Sequence, residues 1–250
     1  MKWLGPAALA IFIIGSCSPK ADNALVTDTP PAAAPAAPAG MKSAAPVSAD
    51  APAPSIESLP TGDYKLDPAH STVLFKISHL GFSNFTGWFD TFSADLKLDP
   101  ANPAGATLTA MVNPASLMVH APPKGFTEEL RADKFIDAKQ FPQITFKSIG
   151  VAMTGPNTAD VTGDLTLHGV TKPITLAVTF NGGYAGHVYE PNARIGFSGH
   201  GRFKRSDFGL SNGIPEAGSN MGVSDELEVV IESEFTGPAW KDAPAPVKPN

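Results

Sequence analysis

The sequence predicts an all-β domain made of about eight antiparallel strands, and three observations support this. Apolar and polar residues alternate with a period of two along eight segments that follow Tyr64, as in strands with one buried face. Gly, Pro, Asn and Asp cluster between those segments, where they favour turns. The chain has 15 Phe against 3 Trp and 3 Tyr, and Phe adds apolar area to an interior without a polar tip.

Residues 1–16 are typical of an export signal peptide. Lys2 precedes an apolar run from residue 4 to residue 14, which is shorter than the ~20 residues that span a bilayer. The run ends in Ile14-Gly-Ser-Cys17, a pattern that looks like a bacterial lipobox, in which the cysteine is lipidated. The alternative is an ordinary signal beside an incidental cysteine. Cys17 is the only cysteine of the chain, so we expect a lipoprotein that faces the periplasm and is anchored to a membrane through Cys17. Ser18, rather than Asp, favours the outer membrane over the inner one.

Residues 17–60 predict a disordered tether that carries the lipid on Cys17. Ala and Pro make up 18 of the 25 residues from Pro30 to Pro54, and repeated Pro breaks helices and favours extended chain. The folded domain is then predicted over residues 61–237, and residues 238–250 are predicted to be a disordered tail.

Inside the domain, a charge-rich segment at residues 128–135 predicts a short helix that packs over one end of the sheet through Leu130 and Phe135. Eight strands with one apolar face close into a barrel that has no free edges, or form a two-sheet sandwich. The alternation alone does not decide between these two folds. The strand segments are 73–77, 92–98, 108–112, 144–146, 161–167, 174–180, 195–203 and 227–235.

Composition excludes several functions. The net charge of −6, without a block of basic residues, argues against a nucleic-acid partner. Because the domain has no cysteine, it contains no disulfide, thiolate metal site or cysteine nucleophile. No two of the 6 His have the i, i+2 spacing of metal ligands on one strand face, so no metal site and no cofactor is predicted. A haem with one axial His stays open.

Three segments together resemble the YceI-like family of periplasmic lipid-binding proteins. They are Tyr64-Lys-Leu-Asp-Pro-Ala-His-Ser71, the stretch from Leu130 to Ser148, and Gly163-Asp-Leu-Thr-Leu-His-Gly-Val-Thr-Lys-Pro173, followed by Arg205-Ser-Asp-Phe-Gly-Leu210. The resemblance implies an extended, lipocalin-like, eight-stranded antiparallel β-barrel with a helix. It also implies a tunnel that binds an isoprenoid or other long-chain lipid, such as a polyprenyl phosphate or a quinone. Members often pair, so a homodimer is one expected state. A Gly-rich stretch at residues 212–220 departs from the family pattern, which usually has a shorter link there.

The apolar face of the strands supplies the candidate ligand-binding residues. Alternation predicts that they point inward, where they either pack against one another or line a hollow, and the resemblance favours the hollow. They are Val73, Phe75, Ile77, Trp88, Phe92, Leu96, Ile144, Phe146, Leu165, Leu176, Val178, Phe197 and Ile231.

Four polar residues are candidates for contact with a lipid head group. His79 continues the inward phase of Phe75 and Ile77. Arg131, Lys134 and Arg205 could bind a phosphate as charged donors, or simply form a solvated face or pair with nearby Asp.

Two alternatives to a lipid-binding module remain. The first is an enzyme that acts on a lipid-like substrate, and the second is a solid-cored interaction barrel. Gly209-Leu-Ser-Asn-Gly213 matches the nucleophile motif of hydrolases, but that motif needs a helix after the Ser. Ile214-Pro215 follows instead, so a turn is the better interpretation and no catalytic residue is predicted.

Overall fold

The computed structural model of the protein describes residues 55–239. The predicted signal peptide, the lipobox, most of the tether and most of the tail lie outside the described residues. Within them, no helix is both long and apolar enough to cross a membrane. The regular elements are β1 (Gly62–His79), β2 (Ser83–Phe89), β3 (Phe92–Leu98), β4 (Thr107–Val112), β5 (Leu117–Val119), α1 (Phe126–Arg131), β6 (Ile144–Gly155), β7 (Thr158–Leu167), β8 (Val170–Tyr184), β9 (Asn192–Lys204) and β10 (Val223–Ala239), with 3-10 turns at Ile56–Ser58, Pro103–Gly105, Pro114–Ser116 and Arg205–Phe208.

Eight of the ten strands form a closed antiparallel ring in the order β1-β3-β4-β6-β7-β8-β9-β10 and back to β1. These are the eight strands that the alternating segments predict, and the predicted barrel is confirmed. The ring closes because β10 pairs with β1, for example Val73 with Ile231. The other two strands, β2 and β5, extend the sheet from the far half of β1.

A bulge in β1 separates two halves of the strand, which pair with different neighbouring strands. The near half of β1 pairs with β3 as far as Lys65, and the far half pairs with β2 from Leu74 onward. Between these halves, the register against β10 shifts from Asp67 to Thr72. The motif Asp67-Pro-Ala-His-Ser71 builds this shift, because the Asp67 carboxylate accepts from the backbone N–H of Ala69 and the Ser71 hydroxyl donates to the Asp67 carbonyl.

The single helix is shorter than predicted and begins earlier. It covers Phe126–Arg131 rather than residues 128–135, starting after Gly125, which has a φ of 83°. It ends at Arg131 because the following residues turn back: Asp137 takes a φ of 43°, and the N–H of Ile136 donates to the Leu130 carbonyl at 3.2 Å. The Phe126 ring packs edge-on against Phe85 of β2, with 6.2 Å between centroids.

One end of the barrel interior is solid. Leu59, Tyr64, Ile195 and Phe235 belong to a cluster of buried residues at the end where β1 begins. Burial raises the pKa of Tyr64 to about 12, and its hydroxyl donates to the Pro60 carbonyl at 2.6 Å. Leu59, which precedes residue 61, is one of the buried residues of this cluster.

Candidate functional site

A large apolar cavity occupies the other end of the barrel, where β1 ends and β10 begins. Its volume is about 700 Å³. All eight ring strands contribute residues to its lining, and β2, β5 and α1 complete its wall. Nine Phe side chains line it, which is more than half of the 15 in the chain. They are Phe75, Phe85, Phe89, Phe92, Phe126, Phe135, Phe146, Phe203 and Phe235.

Glycines on neighbouring strands keep two of these rings against the wall. Gly163 on β7 lies beneath the Phe146 ring, and Gly87 on β2 lies beneath the Phe75 ring, so that a Cβ added at either glycine would overlap the ring. Each ring therefore folds across the adjacent strand instead of extending across the interior. The space that the rings leave free is the cavity.

A second cavity of about 150 Å³ adjoins the buried cluster, four of whose residues line it. Five residues line both cavities, so the two hollows are neighbours. None of the residues around the smaller cavity is charged. The shared residues are Leu108, Leu176, Ile231, Ser233 and Phe235.

The structure places twelve of the thirteen predicted apolar residues on one or both hollows. Leu96, Val178 and Phe197 lie only on the smaller one. The large cavity is lined by Val73, Phe75, Ile77, Phe92, Ile144, Phe146, Leu165, Leu176 and Ile231.

Trp88 is the exception, and its predicted inward orientation is wrong. It pairs with Leu74 on the opposite phase of β2 from Phe85 and Phe89, which both line the cavity. Its indole N–H donates to the Asp90 carboxylate at 2.8 Å. The aromatic residues of β2 that contribute to the cavity are thus Phe85 and Phe89.

The polar opening of the cavity, which we call the mouth, consists of residues that both line it and are exposed to solvent. His79 and Ser83 flank the turn between β1 and β2, Asn212 and Gly213 lie in the loop before β10, and Lys134 follows α1. No hydrogen bond or ion pair occupies the Lys134 ammonium among the described residues. Of the predicted head-group candidates, His79 and Lys134 are the two that stand at the mouth with free donors.

Arg205 lines the cavity but holds loops together. Its guanidinium donates to the carbonyls of Ser224 at 2.9 Å, Leu210 at 3.0 Å, Asn212 at 2.7 Å and Val223 at 2.9 Å. The side chain is 7% exposed, and burial lowers its pKa. These bonds leave little donor capacity for a ligand, so the predicted head-group role of Arg205 is replaced by a structural one.

Arg131 does not line either cavity, which contradicts its predicted role. Its Nε and Nη2 both donate to the Leu117 carbonyl, and Nη2 also contacts the Met118 sulfur. Leu117 and Met118 belong to β5, whose second edge pairs with no other strand in residues 55–239. Arg131 therefore attaches α1 to that edge.

The hydrolase-like motif lies in a turn. A 3-10 turn precedes it, Gly209 takes a φ of 77°, and the loop that follows contains no helix. The strand–turn–helix context that exposes a catalytic Ser is thus missing around Ser211. Among the histidines, His70 contacts Asp67 and His168 packs on Phe141 with 4.5 Å between centroids. In the described part of the chain, no group of three His, Cys, Asp or Glu is arranged to hold a metal ion.

Three cavity Phe residues that the alternation did not predict lie on short or irregular elements. Phe85 and Phe89 lie on β2, where Gly87 and Trp88 interrupt the alternation. Phe126 begins a helix of only six residues. The signal that could have found them is the number of Phe residues, because the eight predicted strands do not accommodate them all.

Solved structures share this architecture. Burkholderia cenocepacia BcnA matches with a TM-score of 0.57 and 28% identity, covering 68% of this chain and 98% of that one. A Campylobacter jejuni YceI protein matches with a TM-score of 0.54 and 31% identity, covering 65% of this chain and 91% of that one. A polyisoprenoid binding domain from Saccharophagus degradans, implicated in plant cell wall breakdown, matches with a TM-score of 0.50 and covers 70% of this chain and 98% of that domain. Its identity of 20% shows the fold alone.

Sequence relatives give the same assignment. A UPF0312 protein of Vibrio parahaemolyticus is 41% identical over 169 residues, which are 67% of this chain and 85% of that protein. A UPF0312 protein of Pseudomonas savastanoi is 39% identical over 161 residues, which are 61% of this chain and 79% of that protein. The model of the YceI-like domain matches residues 64–235, from the first buried residue of β1 to the last strand of the ring. The chain belongs to the YceI-like family.

Proposed function

We propose that this protein binds a long isoprenoid-type lipid in the barrel and carries or sequesters it. The observation that carries the proposal is the cavity of about 700 Å³, walled by Phe, Leu, Ile and Val and closed at one end. A cavity of this volume lies within the ~300–1,000 Å³ typical of small-molecule sites. A long apolar chain bound there gains about 0.8 kcal/mol for every CH₂ removed from water, so it needs few polar contacts.

The polar groups of such a ligand fit the mouth. His79 and Lys134 are exposed there and line the same cavity, so a phosphate or quinone head has a cationic and an imidazole donor beside it. The Saccharophagus degradans domain is called polyisoprenoid binding. Because this chain shares its fold, polyprenyl phosphates and quinones are the first ligands to test.

We also propose that the site binds its ligand without catalysing a reaction on it. The supporting observation is that the cavity wall is almost entirely apolar and that Ser211 lies on an exposed turn. The expected result is that a bound polyprenyl ester is recovered chemically unchanged, and that Ser211→Ala and His79→Ala leave this unaltered. Recovery of a hydrolysed product that depends on either residue would overturn this part of the proposal.

The location and assembly of the protein are proposals as well. The lipobox pattern and the Ala/Pro-rich residues that follow it support a periplasm-facing lipoprotein anchored through Cys17, in the outer membrane rather than the inner. Labelling with an acyl probe, compared with Cys17→Ser, tests this anchor. Sedimentation of the Cys17→Ser chain tests for the homodimer.

The test of lipid binding uses a pair of variants on β4. The chain is purified from cells, its organic extract is analysed by mass spectrometry, and the delipidated chain is titrated with a polyprenol. Ala110 lines the cavity, whereas its neighbour Thr109 is exposed. Ala110→Phe should obstruct the cavity and weaken binding about tenfold or more, and Thr109→Phe should leave binding intact. An empty extract together with no response to polyprenol, or equal binding by both variants, would overturn the proposal.

A further inference from the structure

Two large apolar side chains stand in solvent at the cavity end of the barrel. Phe82 is 85% exposed and Met221 is 78% exposed. Phe82 lies in the turn between β1 and β2, and Met221 lies in the loop before β10. The two loops are joined, because the N–H of Leu80 donates to the Gly222 carbonyl at 2.9 Å. Phe82 and Met221 therefore belong to one surface, which we call the apolar tip.

The apolar tip adjoins the mouth of the cavity. Ser83, the residue after Phe82, lines the cavity, and so does Val223, two residues after Met221. The N–H of Val223 donates to the carbonyl of Gly213, another lining residue, at 2.8 Å. A surface that contacts the apolar tip is thus brought to the edge of the opening through which a ligand enters.

The turn that carries Phe82 holds an unfavourable backbone conformation. Leu80 has a φ of 54° and Gly81 has a φ of 71°, and a positive φ is uncommon for a residue with a bulky side chain. The hydrogen bond from Phe82 N–H to the His79 carbonyl, at 2.9 Å, closes this turn. The fold thus contains an unfavourable backbone conformation in a turn that exposes the Phe82 ring to solvent. Exposure of this ring does not itself stabilise the fold.

Charge indicates what contacts the apolar tip. Residues 80–84 and 217–223 contain no charged side chain, although the whole chain carries a net charge of −6. An anionic lipid surface repels acidic proteins over about a Debye length. These uncharged loops, which also offer Ser83, Asn84 and Asn220 to polar head groups, are a part of the domain that approaches such a surface without that cost.

We propose that the apolar tip inserts into the interface of a lipid bilayer and places the cavity mouth against it, so that the lipid passes between membrane and barrel. This rests on the proposed function, since it supplies the route by which that ligand enters. The chain length is compatible with it. Cys17 lies 38 residues before Ser55, so an extended linker reaches at most ~120 Å at ~3.1 Å per residue. The 18 residues of β1 span ~60 Å at ~3.3 Å each.

Membrane insertion is measured on the Cys17→Ser chain, which has no acyl anchor and no other cysteine. Phe82→Cys is labelled with the environment-sensitive dye NBD and mixed with vesicles of phosphatidylethanolamine and phosphatidylglycerol. Val188→Cys is the matched control, because Val188 is 54% exposed in the hairpin at the opposite end of the barrel. The dye should report an apolar environment at position 82 and not at position 188. Equal signals, or none at position 82, would overturn the proposal.

Lipid transfer separates this proposal from the previous one. The double variant Phe82→Ser with Met221→Ser should slow extraction of a fluorescent polyprenol from those vesicles about tenfold or more, since two apolar insertions are lost. Its affinity for the same polyprenol in detergent should not change. Tyr189→Ser, which alters a side chain that is 91% exposed at the other end, should transfer normally. If the double variant transfers the polyprenol at the normal rate, the proposed membrane contact is wrong but lipid binding is not affected. If the unmodified chain does not bind the polyprenol at all, the proposed function is wrong.

Discussion

At the scale of single residues, ion pairs outside the cavity hold the bulge of β1 in place. The Asp67 carboxylate lies 2.9 Å from Nδ1 of His70 and 2.8 Å from Nη1 of Arg194 on β9. The hydrogen bonds from His70 and Arg194 lower the pKa of Asp67 from 3.8 to about 2. Asp67 therefore joins the bulge of β1 to β9, two strands away in the ring.

Asp67→Asn should lower the free energy of unfolding by about 1–2 kcal/mol at neutral pH, because charged hydrogen bonds are lost. The lowered pKa of Asp67 means that its stabilisation is complete above about pH 3.8 and is lost as the pH falls through about 2. Urea unfolding across this range should show the unmodified chain and the variant converging in acid. Asp95→Asn is the control, since that side chain is 69% exposed and should change stability little. A difference that is constant down to about pH 2 would contradict this assignment.

Arg205 shows what a residue type can and cannot predict. The sequence predicts a charged donor that contacts the ligand's head group, and in the structure Arg205 does line the cavity. Its four carbonyl partners lie 5 to 19 residues away and come together only when the loop before β10 closes. No local pattern reveals that convergence, so its structural role could not be predicted.

Arg205→Lys should cost about 2–3 kcal/mol of unfolding free energy, because an ammonium cannot reach all four carbonyls and leaves buried acceptors unpaired. Urea denaturation measures this. Arg202→Lys is the matched control on β9, where the side chain is 61% exposed. If both variants unfold at the same urea concentration as the unmodified chain, the carbonyl contacts of Arg205 do not stabilise the loop.

At the scale of elements, alternation predicts the ring strands well because each has one face toward the interior and one toward water. It fails for β2 and β5. In β2 both faces carry aromatic residues and Gly87 lies between them, so no period of two is visible. β5 has three residues, too few to show any period. These two elements, with α1, add cavity-lining residues that the alternation did not predict.

Gly163→Ala should reduce lipid binding and also lower the free energy of unfolding. A methyl group at this position would overlap the Phe146 ring, which lines the cavity, and would lie 2.7 Å from the carbonyl oxygen of Lys147. A fluorescent fatty probe should then bind less tightly than it does to the unmodified chain. Gly150→Ala on β6 is the control, because nothing lies within 4 Å of its added Cβ. Equal probe affinity in both variants would show that the glycine does not maintain the cavity.

At the scale of the whole molecule, the alternating pattern left a barrel and a sandwich equally open. The difference lies in one pairing, that of β1 with β10, and Val73 and Ile231 are far apart in sequence. Alternation reports which face of a strand is buried but not which strand lies next to it. The resemblance of the motifs to a known family decided the fold, and it could not specify how much of the interior is hollow.

Removing the bound lipid should lower the melting temperature of the whole domain. A ligand that binds only the folded chain stabilises it by about 2.7 kcal/mol when present at ~100 times its Kd. Calorimetry before and after organic extraction, with and without added polyprenol, measures the effect. Ala110→Phe serves as the control, since an obstructed cavity that binds less lipid should show a smaller change in melting temperature. If extraction leaves the melting temperature of the unmodified chain unchanged, this would argue against a ligand in the barrel.

The pairing of β1 with β10 also affects how the protein folds during its synthesis. During synthesis β1 is made before the other strands of the ring and β10 after them, so the edge of β1 that pairs with β10 stays unpaired until the chain is almost finished. Contacts between such distant segments form slowly, and partly made sheets expose edges that aggregate. A chain that lacks β10 is not a smaller working barrel: a ribosome that stops before residue 223 releases two unpaired edges, on β1 and β9, and an interior open to water.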